Sequence, residues 1–232
     1  MHISFEGKAK RAEGRQYPNT SVKTNKENMD RLIQGMGKNS ATEYDRIYFQ
    51  REKQGVDAFD QKRWKNLLKY YKGGRLVDLG CLDSLVPVFA KEKHKEAEVW
   101  GIDVAEEAIK AMREKYPYVY YEVGDVYHTK FPKNYFSYAV AGELIEHLEK
   151  PEEFIKEAFR ILKSGGILAI STPKEEEKGA IDAERHIWRY TEEDMKDMLE
   201  TYGDVWLREM GSQYFPRYQY HPRIILAYCK KK

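Results

Sequence analysis

Short apolar runs alternate with helix-like patterns from residue 42 onward. Apolar runs predict five strands, at residues 75–80, 98–103, 118–123, 136–141 and 167–171. Helical spacing of apolar residues separates them, as at Phe154 and Ile155 in a helix predicted to begin at Pro151 and stop at Gly165-Gly166. Strands that alternate with helices of about 10–15 residues indicate crossover connections and a parallel sheet.

The end of this pattern differs from the rest. Two further strands, at residues 205–210 and 224–228, follow each other without an obvious helix between them, which favours an antiparallel final pair. The helix before them is predicted to begin after Thr191, a residue type that caps helices, and to end at Gly203. The sequence therefore predicts an α/β fold: a doubly wound, seven-stranded, mostly parallel sheet with an antiparallel C-terminal strand.

The first 40 residues have a different composition. They hold eight Lys and Arg against four Asp and Glu, and few large apolar residues. Such a segment buries too little surface to offset the entropy lost on ordering. We expect residues 1–40 to form a basic, polar N-terminal extension, disordered at least in part, and residues 41–232 to form the domain. The alternative is a basic arm that folds over a substrate or RNA.

Composition excludes several classes of protein. Forty Lys and Arg against 38 Asp and Glu leave a net charge of +2, so charge does not direct the whole molecule to nucleic acid or a membrane. No apolar run approaches the ~20 residues that span a bilayer, and the first residues lack the apolar core of a secretion signal. Cys81 and Cys229 are too few for a disulfide framework or a cysteine-ligated zinc cluster. We expect a cytoplasmic protein without a membrane partner; the oligomeric state stays open.

Acidic residues follow three of the predicted strands. Asp78 and Gly80 end the first strand, Asp103 ends the second, and Asp125 follows the third. Ligands of open parallel sheets bind beyond the carboxyl ends of the strands, where the strand order switches. A carboxylate about 20 residues after the first strand end is placed to accept hydrogen bonds from ribose hydroxyls. The sequence therefore predicts a nucleoside-type ligand at this edge.

These strand ends, with residues 142–148 (GELIEHL), 159–166 (FRILKSGG) and 170–173 (ISTP), resemble the class I S-adenosylmethionine-dependent methyltransferases, which have a Rossmann-like fold. The resemblance covers about residues 76–203 and implies S-adenosylmethionine as cofactor. It implies the following cofactor-binding residues: Asp78, Gly80, Leu82, Asp103, Val104, Asp125, Val126 and Ala141. Gly80 would lie against the methionine part, Asp103 would hold the ribose, and Asp125 with Val126 would receive the adenine. The Ala141 carbonyl would face the methionine ammonium or sulfur, whereas Asp78 is equally well explained as a buried structural carboxylate.

Leu82 departs from the pattern of that family. Glycines usually occupy alternate positions after the first-strand Asp, whereas this chain has Gly80, Leu82 and Ser84. Glycine serves there because it accepts a positive φ and places no Cβ against the ligand. Either the loop follows an ordinary negative-φ path at Leu82, or its side chain narrows the pocket and weakens cofactor binding.

His147 is the candidate catalytic residue. It follows the fourth strand closely, and imidazole is the usual side chain that takes a proton near pH 7 from a hydroxyl or amine nucleophile. Glu143, Glu146 and His147 would share one face if a helical turn began at Glu143. With His186 they form an alternative set of metal ligands, similar to the metal site of small-RNA 2′-O-methyltransferases. The first expectation is no metal, with His147 as a base or orienting group; a purely structural role is the third reading.

The hypotheses for function follow from these residues. The first is an S-adenosylmethionine-dependent methyltransferase that acts on an oxygen or nitrogen of a small-molecule acceptor. A metal-assisted RNA 2′-O-methyltransferase is the alternative enzyme, with RNA as a less favoured partner. The alternative outside the enzymes is a non-catalytic binding protein that kept the fold while Leu82 degraded the cofactor pocket. A nicotinamide-dependent oxidoreductase is disfavoured because the glycine-rich phosphate loop is missing.

Overall fold

The computed structural model describes residues 40–175, 186–211 and 223–232, apart from the side chains of residues 53 and 54. The predicted extension, residues 1–40, therefore lies outside the described residues except for Ser40. The described helices are α1 Ala41–Gln54, α2 Ala58–Leu67, α3 Val86–Lys93, α4 Glu106–Lys115, α5 Pro151–Ile161 and α6 Glu192–Leu199, with a short 3-10 helix at Ile145–His147. The strands are β1 Leu76–Leu79, β2 Val99–Asp103, β3 Tyr120–Val123, β4 Phe136–Gly142, β5 Leu162–Pro173, β6 Gly203–Met210 and β7 Ile224–Lys231.

Seven strands form one sheet in the order β3-β2-β1-β4-β5-β7-β6. The first five are parallel to their neighbours, and β7 runs antiparallel to both β5 and β6. The predicted fold class and the antiparallel final pair are confirmed. The strand order reverses between β1 and β4, so the two crossovers that leave this point wrap opposite faces of the sheet.

The central strands are buried on both faces because helices cover both. All four residues of β1 are buried, and successive ones contribute to opposite layers of the core. Val77 and Leu79 pack in the layer that contains Phe154 of α5, whereas Leu76 packs in the layer that contains Trp64 of α2. The period of two along a strand explains why one continuous apolar run serves two helical layers.

The helix that begins at Pro151 ends earlier than its glycines suggested. It stops at Ile161, and Leu162 already pairs with Phe136 of β4. The register then shifts, and Gly165 takes a positive φ of 75° before the pairing of β4 and β5 resumes. The carbonyl of Leu162 accepts a hydrogen bond from Lys231 Nζ at 2.6 Å, as does that of Phe159. Pairing with β4 and a lysine on the last carbonyls thus end the helix before the glycines do.

Helix α6 follows the prediction at its start. Thr191 is its N-cap, and a reciprocal capping box joins Thr191 to Asp194. Its last residue is Leu199, and Gly203 opens β6. Among the described helices, none is long and apolar enough to cross a membrane.

Helix α1 docks across α4 and the loop after β1. Asp45 of α1 accepts hydrogen bonds from the backbone N–H groups of Glu107 and Ala108, at 2.9 and 3.2 Å. The N-cap residue of α4, Ala105, offers no side-chain acceptor, so Asp45 supplies the missing cap from another helix. On the same helix, Arg51 pairs with Asp83 at 2.8 Å.

Asp45→Ala is expected to lower the free energy of unfolding by about 1 kcal/mol, because two N–H groups of α4 lose a charged acceptor. Chemical denaturation measures this difference. The matched control is Gln50→Ala, at an exposed position of the same helix, which is expected to change stability by less than about 0.5 kcal/mol. Equal stability of the Asp45 variant and the control would contradict the capping role.

Candidate functional site

The carboxyl ends of β1, β2 and β4 meet at one edge of the sheet. Asp78 of β1 lies in register with Gly101 of β2 on one side and Val140 of β4 on the other. Asp103, two residues further along β2, is in register with Val123 at the end of β3. The edge where the strand order switches is therefore lined by the acidic residues that the sequence placed at strand ends.

The loop after β1 has left-handed backbone at two positions. Gly80 has φ 71° and Leu82 has φ 39°, so the first of the two alternatives for Leu82, an ordinary negative φ, is wrong. A Cβ on Gly80 would lie 2.6 Å from Cδ1 of Leu144, so packing within the protein already requires glycine there. The Leu82 side chain packs under α1, in a cluster with Tyr48 and Ala108. Leu82 therefore places its branched side chain in the contact between α1 and α4.

Asp103 holds this loop in its conformation. Its Oδ2 accepts a hydrogen bond from the Leu82 backbone N–H at 2.9 Å, and its Oδ1 accepts one from Ala105 N–H at 3.0 Å. Burial raises the pKa of the carboxyl group, and hydrogen bonds from Ala105, Leu82 and Val104 oppose that rise. A carboxylate has about four acceptor sites, so Asp103 keeps the capacity to accept from a ligand hydroxyl.

Asp78 is a buried carboxyl group in which one oxygen lacks a hydrogen-bond partner among the described residues. Only 2% of the residue is exposed, and its Oδ2 has no hydrogen-bond partner among the described residues. Burial raises the pKa of Asp78 to about 7; a hydrogen bond from Ser84 and the charge of Arg63 lower it, and the charge of Asp103 raises it. A buried polar atom left unsatisfied at the mouth of a sheet is a position where a bound ligand can supply the missing bond.

The residues after β3 lie at the outer part of the same edge. Asp125 is half exposed, and its Oδ1 accepts a hydrogen bond from the Tyr127 backbone N–H at 2.8 Å. Val126 is buried in the core, whereas Val104 is exposed over 37% of its surface. Val104 and Asp125 thus present one apolar and one acidic surface to solvent.

The end of β4 departs from the expected helical turn. Glu143 has a left-handed φ of 52°, and the 3-10 helix begins only at Ile145, so Glu143 does not share a helical face with Glu146 and His147. Its backbone N–H donates to Ser171 O at 2.9 Å, and Ser171 Oγ donates to its carboxylate at 2.8 Å. Strand β5 thus imposes this backbone conformation. Left-handed conformation at a non-glycine residue is costly and concentrates at functional sites.

Arg63 is a site residue that the sequence did not reveal. It comes from α2, is 9% exposed, and pairs with Asp60 at 2.7 Å and with Glu143 at 3.3 Å. Burial raises the pKa of Glu143, and the charge of Arg63 opposes that rise. The signal in the sequence is weak, because one arginine in a charged helix has no distinguishing pattern.

Three other side chains meet beyond β4. Ligand atoms of Glu146, His147 and His186 all lie within 4.8 Å of one another. The Glu146 carbonyl accepts hydrogen bonds from the N–H groups of Ile187 and Trp188, at 2.8 and 3.1 Å, which brings the distant His186 to this point. The rings of the two histidines are 4.9 Å apart, and Tyr44 of α1 lies 6.5 Å from the His147 ring.

Comparison with known proteins shows what this chain is similar to. Residues 77–170, from β1 to β5, match the family model of a methyltransferase domain. An uncharacterized methyltransferase of Schizosaccharomyces pombe is 28% identical over 143 residues, which are 53% of this chain and 50% of that protein. The chain is thus similar to S-adenosylmethionine-dependent methyltransferases over the strands that carry the site.

Two further comparisons give the same similarity. A probable S-adenosylmethionine-dependent methyltransferase of Mycolicibacterium smegmatis is 33% identical over 75 residues, 32% of this chain and 29% of that protein. The chain thus spans half or less of these two curated relatives. A solved structure from Thermotoga maritima, described as a possible histamine N-methyltransferase, superposes with a TM-score of 0.61 at 16% identity. It covers 75% of this chain and 89% of its own, and it shows the shared fold.

Proposed function

We propose that the protein transfers a methyl group from S-adenosylmethionine to an oxygen or nitrogen of a small-molecule acceptor. The observation that carries this proposal is the contact between Asp103 and the loop after β1, at the strand switch of a methyltransferase-like sheet. That contact joins the residue proposed to hold the ribose to the loop proposed to hold the methionine part.

The described residues fit this cofactor. Asp103 has spare acceptor capacity for the ribose hydroxyls, and we assign the adenine ring to Val104 and Asp125, which follow β2 and β3. The unpartnered Oδ2 of Asp78 offers an acceptor for an ammonium group. When bound, S-adenosylmethionine supplies a methyl group already activated on a sulfonium centre. The protein then has to position the acceptor in line with that methyl group and exclude water.

His147 lies on the proposed acceptor side. It follows β4, on the other side of β1 from Asp103 in the strand order, and Tyr44 of α1 is close to its ring. In the simplest form of the proposal, His147 takes the proton that a hydroxyl or amine acceptor loses. An RNA acceptor is the alternative; the basic segment that would favour it lies among residues 1–39, outside the described residues.

The proposal is tested by calorimetric titration of S-adenosylhomocysteine, followed by an assay of donor-dependent methyl transfer to panels of hydroxyl and amine acceptors. Binding at micromolar concentration with turnover of an acceptor is the expected result. Failure of the folded protein to bind S-adenosylhomocysteine would sink the proposal and favour a binding protein that lost this activity.

His147→Gln is expected to lower kcat about 100-fold and to leave the affinity for S-adenosylhomocysteine within about twofold, because the proposal assigns the ring to the acceptor and not to the donor. Steady-state kinetics and calorimetry on the same preparations separate the two effects. His94→Gln is the control. His94 follows α3 and precedes β2, so it lies at the amino-terminal end of the strands, away from His147. An unchanged kcat in His147→Gln would remove His147 from the reaction.

A further inference from the structure

The cluster of Glu146, His147 and His186 has a property that proton transfer by His147 does not explain. Glu146 is 1% exposed, and its Oε1 has no hydrogen-bond partner among the residues that the structure describes. Its other oxygen, Oε2, accepts one hydrogen bond, from Thr172 Oγ1 at 3.0 Å. A buried carboxylate with an unsatisfied oxygen is costly unless a positive group completes its surroundings.

Two imidazoles stand where such a group would be bound. The nearest ligand atoms of His147 and His186 lie within 4.8 Å of a Glu146 oxygen and of each other. Ligand atoms around a four-coordinate zinc ion are roughly 3 to 3.5 Å apart, given metal–ligand distances of about 2.0–2.2 Å. The three side chains must therefore move slightly closer together when an ion binds.

The backbone holds these residues together before any ion binds. Ile187 and Trp188 donate to the Glu146 carbonyl, and the Trp188 indole N–H donates to Leu148 O at 2.7 Å. His186 is therefore fixed beside the 3-10 helix that carries the other two side chains. Because backbone hydrogen bonds already hold the segments that carry the ligands, little conformational entropy is lost when an ion binds.

Glu143 lies outside this set, although the sequence spacing had grouped it with the ligands. Its carboxylate is occupied by Ser171 Oγ and by the guanidinium of Arg63. Arg63 also repels a cation at that oxygen. The geometry thus selects one carboxylate and two histidines, which leaves coordination positions open for water or substrate.

We propose that Glu146, His147 and His186 bind one divalent transition-metal cation, which coordinates a hydroxyl oxygen of the acceptor. Two nitrogen ligands favour zinc, cobalt or nickel over magnesium, which prefers oxygen ligands. This inference rests on the proposed function and changes one step of it. His147 is then a metal ligand, and the acceptor is an alcohol or phenol and not an amine.

The reaction step balances with the groups named. Coordination lowers the pKa of the acceptor hydroxyl, which releases its proton to solvent. The resulting oxygen forms a bond to the methyl carbon while the bond from that carbon to sulfur breaks. The electron pair of that bond stays on sulfur, so the sulfonium becomes a neutral thioether.

The test is titration of Co²⁺ and Zn²⁺ into tag-free, chelator-treated protein, followed by visible absorption and calorimetry in the absence of donor. One ion per chain is expected, with Mg²⁺ bound at least about 100-fold more weakly. Glu146→Gln and His186→Ala should each weaken Zn²⁺ binding more than about 100-fold, beyond the loss typical of an outer-sphere group. His94→Gln and Glu143→Gln are the matched controls and should retain it.

Each other outcome overturns the inference. If the folded wild-type protein binds neither Co²⁺ nor Zn²⁺, Glu146 is a buried acid beside two histidines and does not bind a metal ion. Retained binding in both ligand variants places the ion elsewhere, and loss in Glu143→Gln shows that the wrong carboxylate was chosen. Circular dichroism confirms that each variant is folded, and His186→Ala, at a half-buried position, keeps the test decisive if Glu146→Gln unfolds. Binding of S-adenosylhomocysteine, measured without metal, separates failure here from failure of the proposed function.

Discussion

Asp103→Ala is expected to abolish binding of S-adenosylhomocysteine at concentrations that saturate the wild-type protein, an affinity loss of about 100-fold or more. Two ribose hydroxyls would lose a charged acceptor, and each such hydrogen bond contributes about 1.5–3 kcal/mol. The same change frees the Leu82 N–H, which Asp103 Oδ2 now accepts at 2.9 Å. Loss of that contact removes the restraint on a loop held at positive φ. Calorimetric titration measures the affinity.

A second variant retains part of the contact between position 103 and the loop. Asp103→Asn keeps one oxygen that can accept one of the two backbone N–H groups, and it loses the second acceptor oxygen and the charge that strengthens bonds to the ribose. It should bind S-adenosylhomocysteine about tenfold or more weakly, and its free energy of unfolding should fall by about 1–3 kcal/mol because one backbone N–H group loses its acceptor. Glu122→Ala, at an exposed position of the neighbouring strand β3, controls for general effects of charge removal. Wild-type affinity in folded Asp103→Ala would refute the assignment of Asp103 to the ribose.

Asp78→Asn is expected to make the cofactor-free protein more stable at alkaline pH and to flatten its dependence of stability on pH. Burial raises the pKa of Asp78 from 3.8 to about 7, so the native state holds its proton over a range where the unfolded state has lost it. The free energy of unfolding therefore falls as pH rises from about 4 to about 7. The full penalty, about 4 kcal/mol, is present above pH 7.

An amide at position 78 cannot ionise and escapes that penalty. Urea denaturation at pH 5 and pH 8 should show that Asp78→Asn gains about 2–3 kcal/mol relative to wild type between the two pH values. The groups that set the wild-type value are Ser84, Asp103 and Arg63, so these stay unchanged. Asp204→Asn, on the exposed surface of β6, is the matched control. Parallel pH profiles for wild type and Asp78→Asn would show that Asp78 ionises normally.

The sequence predicted the sheet because the signals for a sheet are local and repeated. Apolar runs located the strands to within a few residues, and the carboxyl ends of parallel strands necessarily meet at one edge, which placed Asp78 beside Asp103. The backbone at Leu82 and Glu143 could not be predicted in this way. Local sterics oppose a positive φ at both residues. Hydrogen bonds to Asp103 and Ser171, which are distant in sequence, stabilise the positive φ nevertheless.

The side chains near His147 likewise include some that could be placed from the sequence and others that depend on tertiary contacts. His147 could be placed after β4 from the sequence, but the separation of Glu143 from Glu146 depends on a partner, Arg63, that comes from α2. Proximity of His186 depends on hydrogen bonds to the Glu146 carbonyl across 40 residues of sequence. Tertiary contacts of this kind carry no periodic signal, so only the structure reveals them.

The position of β7 sets the order in which this sheet can be completed during synthesis. Strand β6 pairs only with β7 within the described sheet, and β7 fills the space between β6 and β5. While the ribosome is still making residues 224–231, β5 has an open edge and β6 has no place to pair. The nascent chain can assemble the five parallel strands first, yet it keeps an unpaired edge on its longest strand until β7 emerges. The edge of β5 is therefore protected only after β7 has been made and has paired with it.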